Sequence, residues 1–327
     1  MSAILIVGGA GFIGSHTAKL VAAAGHTPVV FDNLSSGHRW ALRWGVFEEG
    51  DLADRAAIDR TLERHDVEAV IDFAAHIEVG ESVRNPRKYF RNNLVNTLNL
   101  LDAMVDKGVK QIVFSSTAAV YGDPLTVPIP EDHRMLPVNP YGESKLFVER
   151  TLRWYGEAYG LRWAALRYFN AAGADESGEI GELHDPETHL IPLALAAAAL
   201  GDAELRIFGS DYPTPDGTCI RDYIHVNDLA DAHVRALRHL ETGGDSLALN
   251  LGTGHGYSVL EIIRAAESAT GQTVRRRTVP RRPGDPPVLV ADATRAEQVL
   301  QWKATRTLKD IVSGAWAWMQ RSQNAGR

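Results

Sequence analysis

A tyrosine and a lysine four residues apart, Tyr141 and Lys145, are the residues of this chain best suited to acid–base chemistry. Side chains at this spacing lie one turn apart on the same face of an α-helix. Pro140 suits the first position of such a helix, where a missing N–H removes no hydrogen bond. An ammonium group held near a phenol lowers the pKa of the phenol, and a base whose pKa lies near neutrality can take a proton from a hydroxyl group. Because an ordinary exposed helix can carry the same pair, the rest of the chain must decide its meaning.

A glycine-rich turn near the N-terminus predicts a dinucleotide site. Residues 4–7 form a short apolar run typical of a buried parallel strand. The glycines that follow fit both G-x-G-x-x-G and G-x-x-G-x-x-G: Gly8, Gly9, Gly11 and Gly14. Such glycines allow a tight turn and let a pyrophosphate reach the N-terminus of the next helix. Asp32 ends a second predicted strand, and its carboxylate would bind ribose hydroxyls and repel a 2′-phosphate, which predicts NAD rather than NADP.

Strands and helices alternate along the first half of the chain. The predicted strands cover residues 4–7, 28–31, 46–48, 69–73, 111–115 and 163–167, with helices after Gly14, after Asp54, at 88–104 and after Pro140. This alternation predicts an α/β fold with a doubly wound parallel Rossmann sheet. Ligands bind at the carboxyl ends of such strands, where Gly11, Asp32, Phe73, Ser115 and Phe169 fall.

The pattern changes after Ala171, which predicts two domains. Residues 1–172 form the predicted Rossmann domain, and residues 173–327 form a smaller C-terminal α/β lobe. Residues 222–252 are predicted to return to the first domain, because Asn227 is a suitable N-cap for a helix and residues 247–251 form a strand pattern. Ser258 and Glu261 form a capping-box pattern for a further helix.

Composition excludes several classes of partner. The chain has 327 residues, of which 45% are hydrophobic and 23% charged, and its net charge is −7. This charge disfavours general attraction to nucleic acid or to an anionic membrane, so the arginines at 275–277, 281 and 282 are not interpreted as a nucleic-acid site. The longest apolar run, 190–200, is too short to cross a bilayer. The single cysteine, Cys219, suits a reducing compartment, and the predicted location is cytoplasmic.

A hydroxyl, a phenol and an ammonium in that order, behind a glycine turn, resemble the extended short-chain dehydrogenase/reductase family. Within it, the chain is similar to the members that epimerise UDP-hexoses at C4. The matching stretches are 8–16 (GGAGFIGSH), 32–34 (DNL), 79–82 (VGES), 115–122 (SSTAAVYG), 140–145 (PYGESK), 166–173 (LRYFNAAG), 208–216 (FGSDYPTPD) and 221–230 (RDYIHVNDLA). The resemblance implies an isomerase that uses NAD, with a UDP-sugar as substrate bound by the C-terminal lobe.

The resemblance also implies a role for each catalytic residue. Tyr141 would take the proton from the sugar O4, Lys145 would lower the pKa of Tyr141 and bind the nicotinamide ribose, and Thr117 would hydrogen-bond O4. Hydride would pass from the sugar C4 to NAD, the 4-keto sugar would turn over, and hydride would return to its other face. Since this cycle consumes no NAD, the cofactor is expected to remain bound.

Further contacts carry over by position. Those to the cofactor are Gly8, Gly11, Phe12, Ile13, Gly14, Asp32, Asn33, Ser36, Asp51, Leu52, Phe73, Ala74, Ala75, Asn92, Ser115, Tyr141, Lys145 and Phe169. Those to the substrate are Thr117, Tyr141, Asn170, His189, Leu190, Arg221, Tyr223, Arg282, Asp285 and Leu289. Arg221 and Arg282 would grip the diphosphate, where planar bidentate donors fit. For His189 a second interpretation, a histidine that caps a helix, stays open.

The residue types beside Thr117 and at position 289 argue against several related reactions. Ala118 and Ala119 follow Thr117, where 4,6-dehydratases need an acid–base pair and decarboxylases carry a glutamate. The resemblance places Leu289 where a small residue in the family admits an N-acetyl group, and its size favours UDP-glucose and UDP-galactose. UDP-xylose/UDP-arabinose and UDP-N-acetylhexosamine stay open as substrates, and an NAD-binding sensor is the non-enzymatic alternative.

Two further predictions concern metals and assembly. The histidines show no H-x-x-x-H motif or other recognised ligand pattern, so no metal is predicted. The predicted helices at 88–104 and 141–158 pair across a two-fold axis in the family, which predicts a homodimer.

Overall fold

The computed structural model describes residues 2–200, 203–282 and 285–324 as strands and helices joined mostly by short loops. Thirteen strands are described: β1 (Ala3–Val7), β2 (Thr27–Asp32), β3 (Val46–Glu49), β4 (Val67–Asp72), β5 (Gln111–Thr117), β6 (Arg162–Tyr168), β7 (Asn170–Ala172), β8 (Leu205–Phe208), β9 (Ile220–His225), β10 (Leu247–Leu251), β11 (Gly256–Ser258), β12 (Arg276–Val279) and β13 (Val288–Leu289). The α-helices are α1 (Phe12–Ala23), α2 (Arg55–Arg64), α3 (Val79–Arg84), α4 (Pro86–Tyr89), α5 (Asn96–Lys107), α6 (Pro140–Tyr159), α7 (Leu190–Leu200), α8 (Val226–Glu241), α9 (Val259–Thr270), α10 (Thr294–Leu300) and α11 (Leu308–Asn324).

Seven parallel strands form the central sheet, in the order β10-β6-β5-β4-β1-β2-β3. Strand order reverses direction at β1, whose neighbours are β4 and β2. In an open parallel sheet this switch point creates the crevice in which a ligand binds. The predicted doubly wound Rossmann sheet is therefore confirmed.

Helices cover both faces of this sheet, because its strands are apolar on both sides. One core contains Ile4, Ile6 and Leu166 with residues of α8, and the other contains Leu5, Phe31 and Phe114 with residues of α5 and α6. Near-continuous apolar strands of this kind require two covered faces. The buried faces fix each strand in register, and that register aligns the carboxyl ends of β1, β2, β4 and β5.

A smaller lobe follows β6. Its sheet is centred on β9, which pairs with β7, β11 and β13, while β8 and β12 form a separate pair. Helices α7, α9 and α11 pack together around Ile191, Ile262 and Ile311. The chain leaves this lobe after β9, since α8 packs against the central sheet and β10 pairs with β6. No described helix is long and apolar enough to cross a membrane.

Two details differ from the sequence predictions. Asn227 is not the N-cap of α8; that residue is His225, whose Nδ1 accepts a hydrogen bond from the Asn227 N–H at 3.0 Å. The predicted helix 88–104 is not uniform either. A π-helical segment at Phe90–Val95 separates α4 from α5, so these residues follow a wider helical turn than the regular period assumes.

Candidate active site

The glycine turn is built to receive an anion. A Cβ atom on Gly14 would lie 2.3 Å from the carbonyl oxygen of Gly8, so only glycine allows the two segments to approach. Gly11 is the N-cap of α1 and provides no side-chain cap, and the first turn of α1 has no acidic residue. The N–H groups and the positive end of the helix dipole are therefore left for a phosphate. The turn fits the pyrophosphate of a dinucleotide.

Asp32 lies at the carboxyl end of β2 with its carboxylate already oriented. Its Oδ2 accepts a hydrogen bond from the Ala10 N–H at 2.9 Å, and its Oδ1 accepts one from the Leu34 N–H at 2.8 Å. Burial raises the pKa of Asp32, and the two backbone hydrogen bonds oppose that effect. Next to it, the Asn33 amide donates to Asp51 at 2.7 Å. These contacts place polar acceptors beside the glycine turn, as adenosine binding requires.

The predicted catalytic hydroxyls come together at the end of β5. Thr117 is buried at the last position of β5, and Tyr141 is partly buried in the first turn of α6. Burial raises the pKa of Tyr141, and a hydrogen bond with the Thr117 side chain lowers it in part. A Cβ atom on Gly142 would lie 2.5 Å from the Ala119 carbonyl oxygen, so glycine lets α6 approach the chain that follows β5.

Lys145 is buried one turn further along α6. Its Nζ donates a hydrogen bond to the carbonyl oxygen of Ser115 at 2.8 Å and lies 4.6 Å from the centre of the Phe114 ring. Burial lowers the pKa of Lys145 to about 8, while the carboxylates of Asp72 and Glu149 oppose this shift. Burial and the Thr117 hydrogen bond are the influences on the pKa of Tyr141 that this structure shows, and the effect of Lys145 on it stays a prediction.

Asp72 is a neighbour of Lys145 that sequence reasoning missed. It ends β4 with no exposed surface, and its Oδ1 accepts a hydrogen bond from the Ala74 N–H at 3.0 Å, while its Oδ2 has no partner. Burial raises the pKa of Asp72 to about 6, and the positive charge of Lys145 opposes this. Its position at the end of an apolar strand was the available signal, because a buried acid there needs a function or a partner.

A buried network of hydrogen bonds, which we call the Arg167 network, holds α6 in place. Arg167 donates to both carboxylate oxygens of Glu149, at 2.6 Å from Nη2 to Oε2, and to the Tyr121 hydroxyl at 2.9 Å. The Ser116 hydroxyl also donates to Glu149. Glu149 follows Tyr141 and Lys145 at the same four-residue spacing, which was the sequence signal for a shared helix face. The network ties α6 to β5 and β6, the strands beside the catalytic residues.

Asn93 is a second positioning residue that the sequence did not indicate. Its side chain is buried, accepts a hydrogen bond from the His76 N–H at 2.9 Å and donates to the Ser144 hydroxyl at 3.2 Å. It therefore connects the loop after β4 to α6. The predicted cofactor residue Asn92 donates to Asn93 at 3.0 Å.

The other predicted cofactor residues follow the same edge of the sheet. Phe73 continues β4, and its N–H donates to the Val7 carbonyl oxygen at 2.8 Å. Ser115 lies on β5 with its hydroxyl hydrogen-bonded to Tyr168. Phe73, Ala74 and Ala75 are partly buried, as are Phe12 and Ile13 of α1; Leu52 is buried and Ser36 is exposed.

The smaller lobe brings several predicted substrate residues together. Arg221 on β9 is paired with Asp285, and the Cys219 thiol lies 3.7 Å from the same carboxylate. The Arg282 guanidinium lies 3.9 Å from the centre of the Phe208 ring. Asn170 on β7 is in register with Tyr223 on β9. Leu289 packs with Phe169 against the cluster of Val120, Tyr121, Ile129 and Leu146.

His189 directly precedes α7, and the Leu193 N–H donates to its carbonyl oxygen at 3.2 Å, so it lies at the position of a helix cap, while its contact with the substrate stays a prediction. Its Nδ1 is 2.7 Å from Oε1 of Glu182 and 3.3 Å from Oε1 of Glu187. The Nδ1 of His184 is 3.5 Å from each of the same two side chains. Leu190 begins α7 directly afterwards and packs in the lobe core. Sequence analysis predicted no metal ligands, and it missed the spacing E-x-H-x-x-E-x-H over residues 182–189.

The fold and this site define a class of protein: Rossmann-fold enzymes with a dinucleotide site beside a Tyr–Lys pair. The model of the "NAD dependent epimerase/dehydratase family" matches residues 4–252. The chain belongs to this family. The predictions of family, of an epimerase and of NAD as cofactor are thereby confirmed.

Individual relatives agree along nearly the whole chain. A UDP-glucose 4-epimerase of Rhizobium leguminosarum bv. trifolii is 52% identical over 319 residues, which cover 98% of each chain. The crystal structure of UDP-glucose 4-epimerase from Brucella ovis in complex with NAD is 53% identical, with a TM-score of 0.94 over 97% of this chain and 98% of that one. The enzyme from Stenotrophomonas maltophila, with bound NAD and formylated UDP-arabinopyranose, is 42% identical, with a TM-score of 0.95 over 99% of each chain.

Proposed function

We propose that this enzyme interconverts UDP-glucose and UDP-galactose by inverting C4 of the sugar. The observation that carries the proposal is the 52% identity, over nearly the full length, to a UDP-glucose 4-epimerase. The geometry supports it, because Thr117 ends β5 at the carboxyl edge of the sheet, with only β4 between β5 and the switch point at β1, and α6 carries Tyr141 and Lys145. Ala118 and Ala119 supply no further acid or base for an elimination.

Each catalytic residue has a role that its surroundings support. Tyr141 takes the proton from the O4 hydroxyl and returns it after inversion. Thr117 hydrogen-bonds the Tyr141 phenol and orients O4. Lys145 is held by the Ser115 carbonyl and stabilises the phenolate through its charge. Bound NAD supplies the hydride acceptor, and because the reaction returns the hydride, the cofactor is retained between turnovers.

The smaller lobe anchors the nucleotide while the sugar turns. Arg221 is largely buried and paired with Asp285, so its guanidinium is fixed in direction. Arg282 is held over the Phe208 ring. Two such guanidinium groups fit the diphosphate as bidentate donors. An anchored diphosphate lets the keto sugar rotate without leaving the site.

Leu289 limits the size of the sugar. It packs with Phe169 against the segment that follows Thr117, so its side chain occupies space beside the predicted sugar site. We expect Leu289→Gly to raise kcat/KM for UDP-N-acetylglucosamine by roughly 10–200-fold, the range for adding or removing small groups in a pocket. An unchanged rate with the N-acetylated sugar would contradict this role. Leu125→Gly, at a side chain that is 71% exposed, is the matched control.

A UDP-pentose is the second candidate substrate. The relative from Stenotrophomonas maltophila, 42% identical, was solved with formylated UDP-arabinopyranose. C4 inversion of UDP-xylose or UDP-arabinose uses the same chemistry on a smaller sugar. Comparing kcat/KM for UDP-galactose and UDP-arabinose with one preparation decides between them.

The enzyme is proposed to act as a homodimer. Apolar side chains are exposed along one region: Val95 is 43% exposed at the end of the π-helical segment, and Phe147 and Trp154 of α6 are 39% and 59% exposed. A second copy would cover them. A monomeric mass by light scattering at micromolar concentration would refute the dimer.

The function is tested by supplying UDP-galactose to purified protein without added NAD and following UDP-glucose by NMR. Conversion is expected, and it would establish both the reaction and a retained cofactor. Bound NAD without conversion of any of the UDP-sugars named above would refute the epimerase proposal and favour an NAD-binding sensor. Absorbance of the denatured supernatant reports the NAD content separately.

A further inference from the structure

Four side chains of the loop before α7 converge on one point. They are Glu182, His184, Glu187 and His189, and we call them the 182–189 cluster. Each offers one ligand atom, and these atoms all lie within 4.8 Å of one another. Across the described ranges of the chain, no other set of three or more His, Cys, Asp or Glu residues converges in this way.

Glu182 is the buried member of the cluster, the other three side chains are partly exposed, and the Glu187 carboxylate accepts a hydrogen bond from the His189 N–H at 2.8 Å. The side chain of Glu182 is 3% exposed, and both of its oxygens lack a hydrogen-bond partner. The Nδ1 atoms of His184 and His189 are buried and lack one too. Unpartnered buried acceptors are costly and rare. The group therefore needs a further component.

Distance does not explain the missing hydrogen bonds of the 182–189 cluster, as a histidine–glutamate pair elsewhere in the chain shows. His65 Nε2 and Glu48 Oε1 are 2.7 Å apart and form a hydrogen bond. His189 Nδ1 and Glu182 Oε1 are also 2.7 Å apart, yet both atoms are unpartnered. In the 182–189 cluster the two groups are close enough for an ion pair, but the contact lacks the geometry of a hydrogen bond. Groups that bind a common central atom have this arrangement.

We propose that the 182–189 cluster binds one divalent transition-metal ion in a tetrahedral site. With Zn–N and Zn–O bonds of about 2.0–2.1 Å, neighbouring ligand atoms of a tetrahedron lie about 3.3–3.4 Å apart. Nitrogen–oxygen separations of 3.3, 3.5 and 3.5 Å are close to this value, although Glu187 contributes Oε1 to the first and Oε2 to the last. The pair of His189 and Glu182 is shorter, at 2.7 Å, and the four ligand atoms all lie within 4.8 Å of one another. Two carboxylates neutralise the ion, and imidazole with carboxylate suits zinc among the abundant metals.

The surroundings give the site a structural role. The backbone between Glu182 and His184 contacts other parts of the fold. Trp318 donates to the Glu182 carbonyl oxygen at 2.9 Å, and the Nε2 atom of His38 lies 2.9 Å from the Leu183 carbonyl oxygen. His184 also makes an edge contact with Phe12 at the start of α1. Four protein ligands leave no open position for substrate. The ion would hold this loop against the glycine turn.

The test is zinc affinity of the NAD-bound enzyme after dialysis against a chelator, measured by competition with a zinc-binding dye. Wild type is expected to bind one Zn²⁺ per chain. His184→Ala, His189→Ala and Glu182→Gln should each weaken binding by more than about 100-fold, because loss of a ligand exceeds the effect of losing an outer partner. Bound NAD and the circular dichroism spectrum check that each variant is folded.

His65→Ala is the matched control, since it removes a histidine with a carboxylate partner outside the cluster. It should leave zinc affinity unchanged. Titration with Co²⁺ gives an independent readout, because a four-coordinate site produces intense visible absorption. Wild-type binding no tighter than that of the His184→Ala/His189→Ala double variant would overturn the proposal, as would a Co²⁺ spectrum equal to that of the free ion.

Discussion

The Arg167 network and the 182–189 cluster are two groups of charged side chains that differ in how their atoms are satisfied. In the Arg167 network, Glu149 accepts hydrogen bonds from Arg167 and Ser116, and Arg167 also reaches Tyr121. In the 182–189 cluster, both oxygens of Glu182 are without a donor. A satisfied network holds its elements in place. An unsatisfied one indicates a ligand, since native proteins rarely leave buried polar atoms unpaired.

The largest effect is expected at Tyr141, the proposed base on the helix that the Arg167 network holds in place. Tyr141→Phe should lower kcat by roughly 10²–10⁴-fold, the contribution of a positioned general base, while NAD stays bound. Tyr155→Phe is the control, because this tyrosine lies on the same helix and its hydroxyl donates to Asp102 on the surface. Single-turnover rates with UDP-galactose measure the loss. Equal rates for the two variants would remove Tyr141 from the mechanism.

Breaking the Arg167 network should cost stability. Glu149→Gln leaves the Arg167 guanidinium buried without its counter-charge, and we expect a loss of about 3–5 kcal/mol in the free energy of unfolding. Glu157→Gln removes the partner of Arg153 from an exposed pair on the same helix, and should cost less than about 1 kcal/mol. Urea denaturation with NAD in excess measures both. Similar losses would mean that the network contributes no more than a surface pair.

Zinc should increase the free energy of unfolding through the 182–189 cluster and not through the Arg167 network. At a free Zn²⁺ concentration of 100 times its Kd, binding to the folded state adds about 2.7 kcal/mol to the free energy of unfolding. Glu182→Gln should abolish most of this increase, whereas Glu149→Gln should keep it although its baseline is lower. Urea denaturation with zinc and with chelator gives the comparison. An increase retained by Glu182→Gln would show that the ion binds elsewhere.

The smallest effect is expected at Asp72. Burial lowers the pKa of Lys145 to about 8, and the Asp72 carboxylate opposes this lowering. Asp72→Asn removes the negative charge and keeps an acceptor for the Ala74 N–H, so Lys145 should lose its proton at a lower pH. The alkaline limb of the kcat/KM profile should therefore move to lower pH. Asp231→Asn, at a half-exposed carboxylate, should leave the profile unchanged.

Much of the nucleotide half could be predicted because its signals are local. The glycine turn, the acid at the end of the second strand and the alternating apolar runs lie within short stretches, and the sheet confirms their order. Pro140 at the start of α6, Asn139 as its N-cap and Ser258 in a capping box are equally local effects. The π-helical segment and the cap at His225 were missed, because neighbouring residues of similar propensity compete for these positions.

The division at residue 172 and the individual site assignments remain predictions. The structure places the predicted cofactor residues along the carboxyl edge of the sheet and pairs Arg221 with Asp285, which is consistent with their proposed use. It also places the His189 ring beside Glu182 at the start of α7, where its contact with the substrate remains a prediction.

The sequence by itself determined the class of the protein: a glycine turn that only glycine can form, strands that must be covered on both faces, and a Tyr–Lys pair on one helix face. Only the tertiary structure decided which buried charges meet. Asp72 lies at the end of β4, whereas its neighbour Lys145 lies on α6. Arg167 reaches Glu149 across the contact between β6 and α6. The 182–189 cluster depends on a loop path fixed by Trp318 and His38. Electrostatic energies depend on distances of a few ångströms and on burial, and spacing along the chain specifies neither.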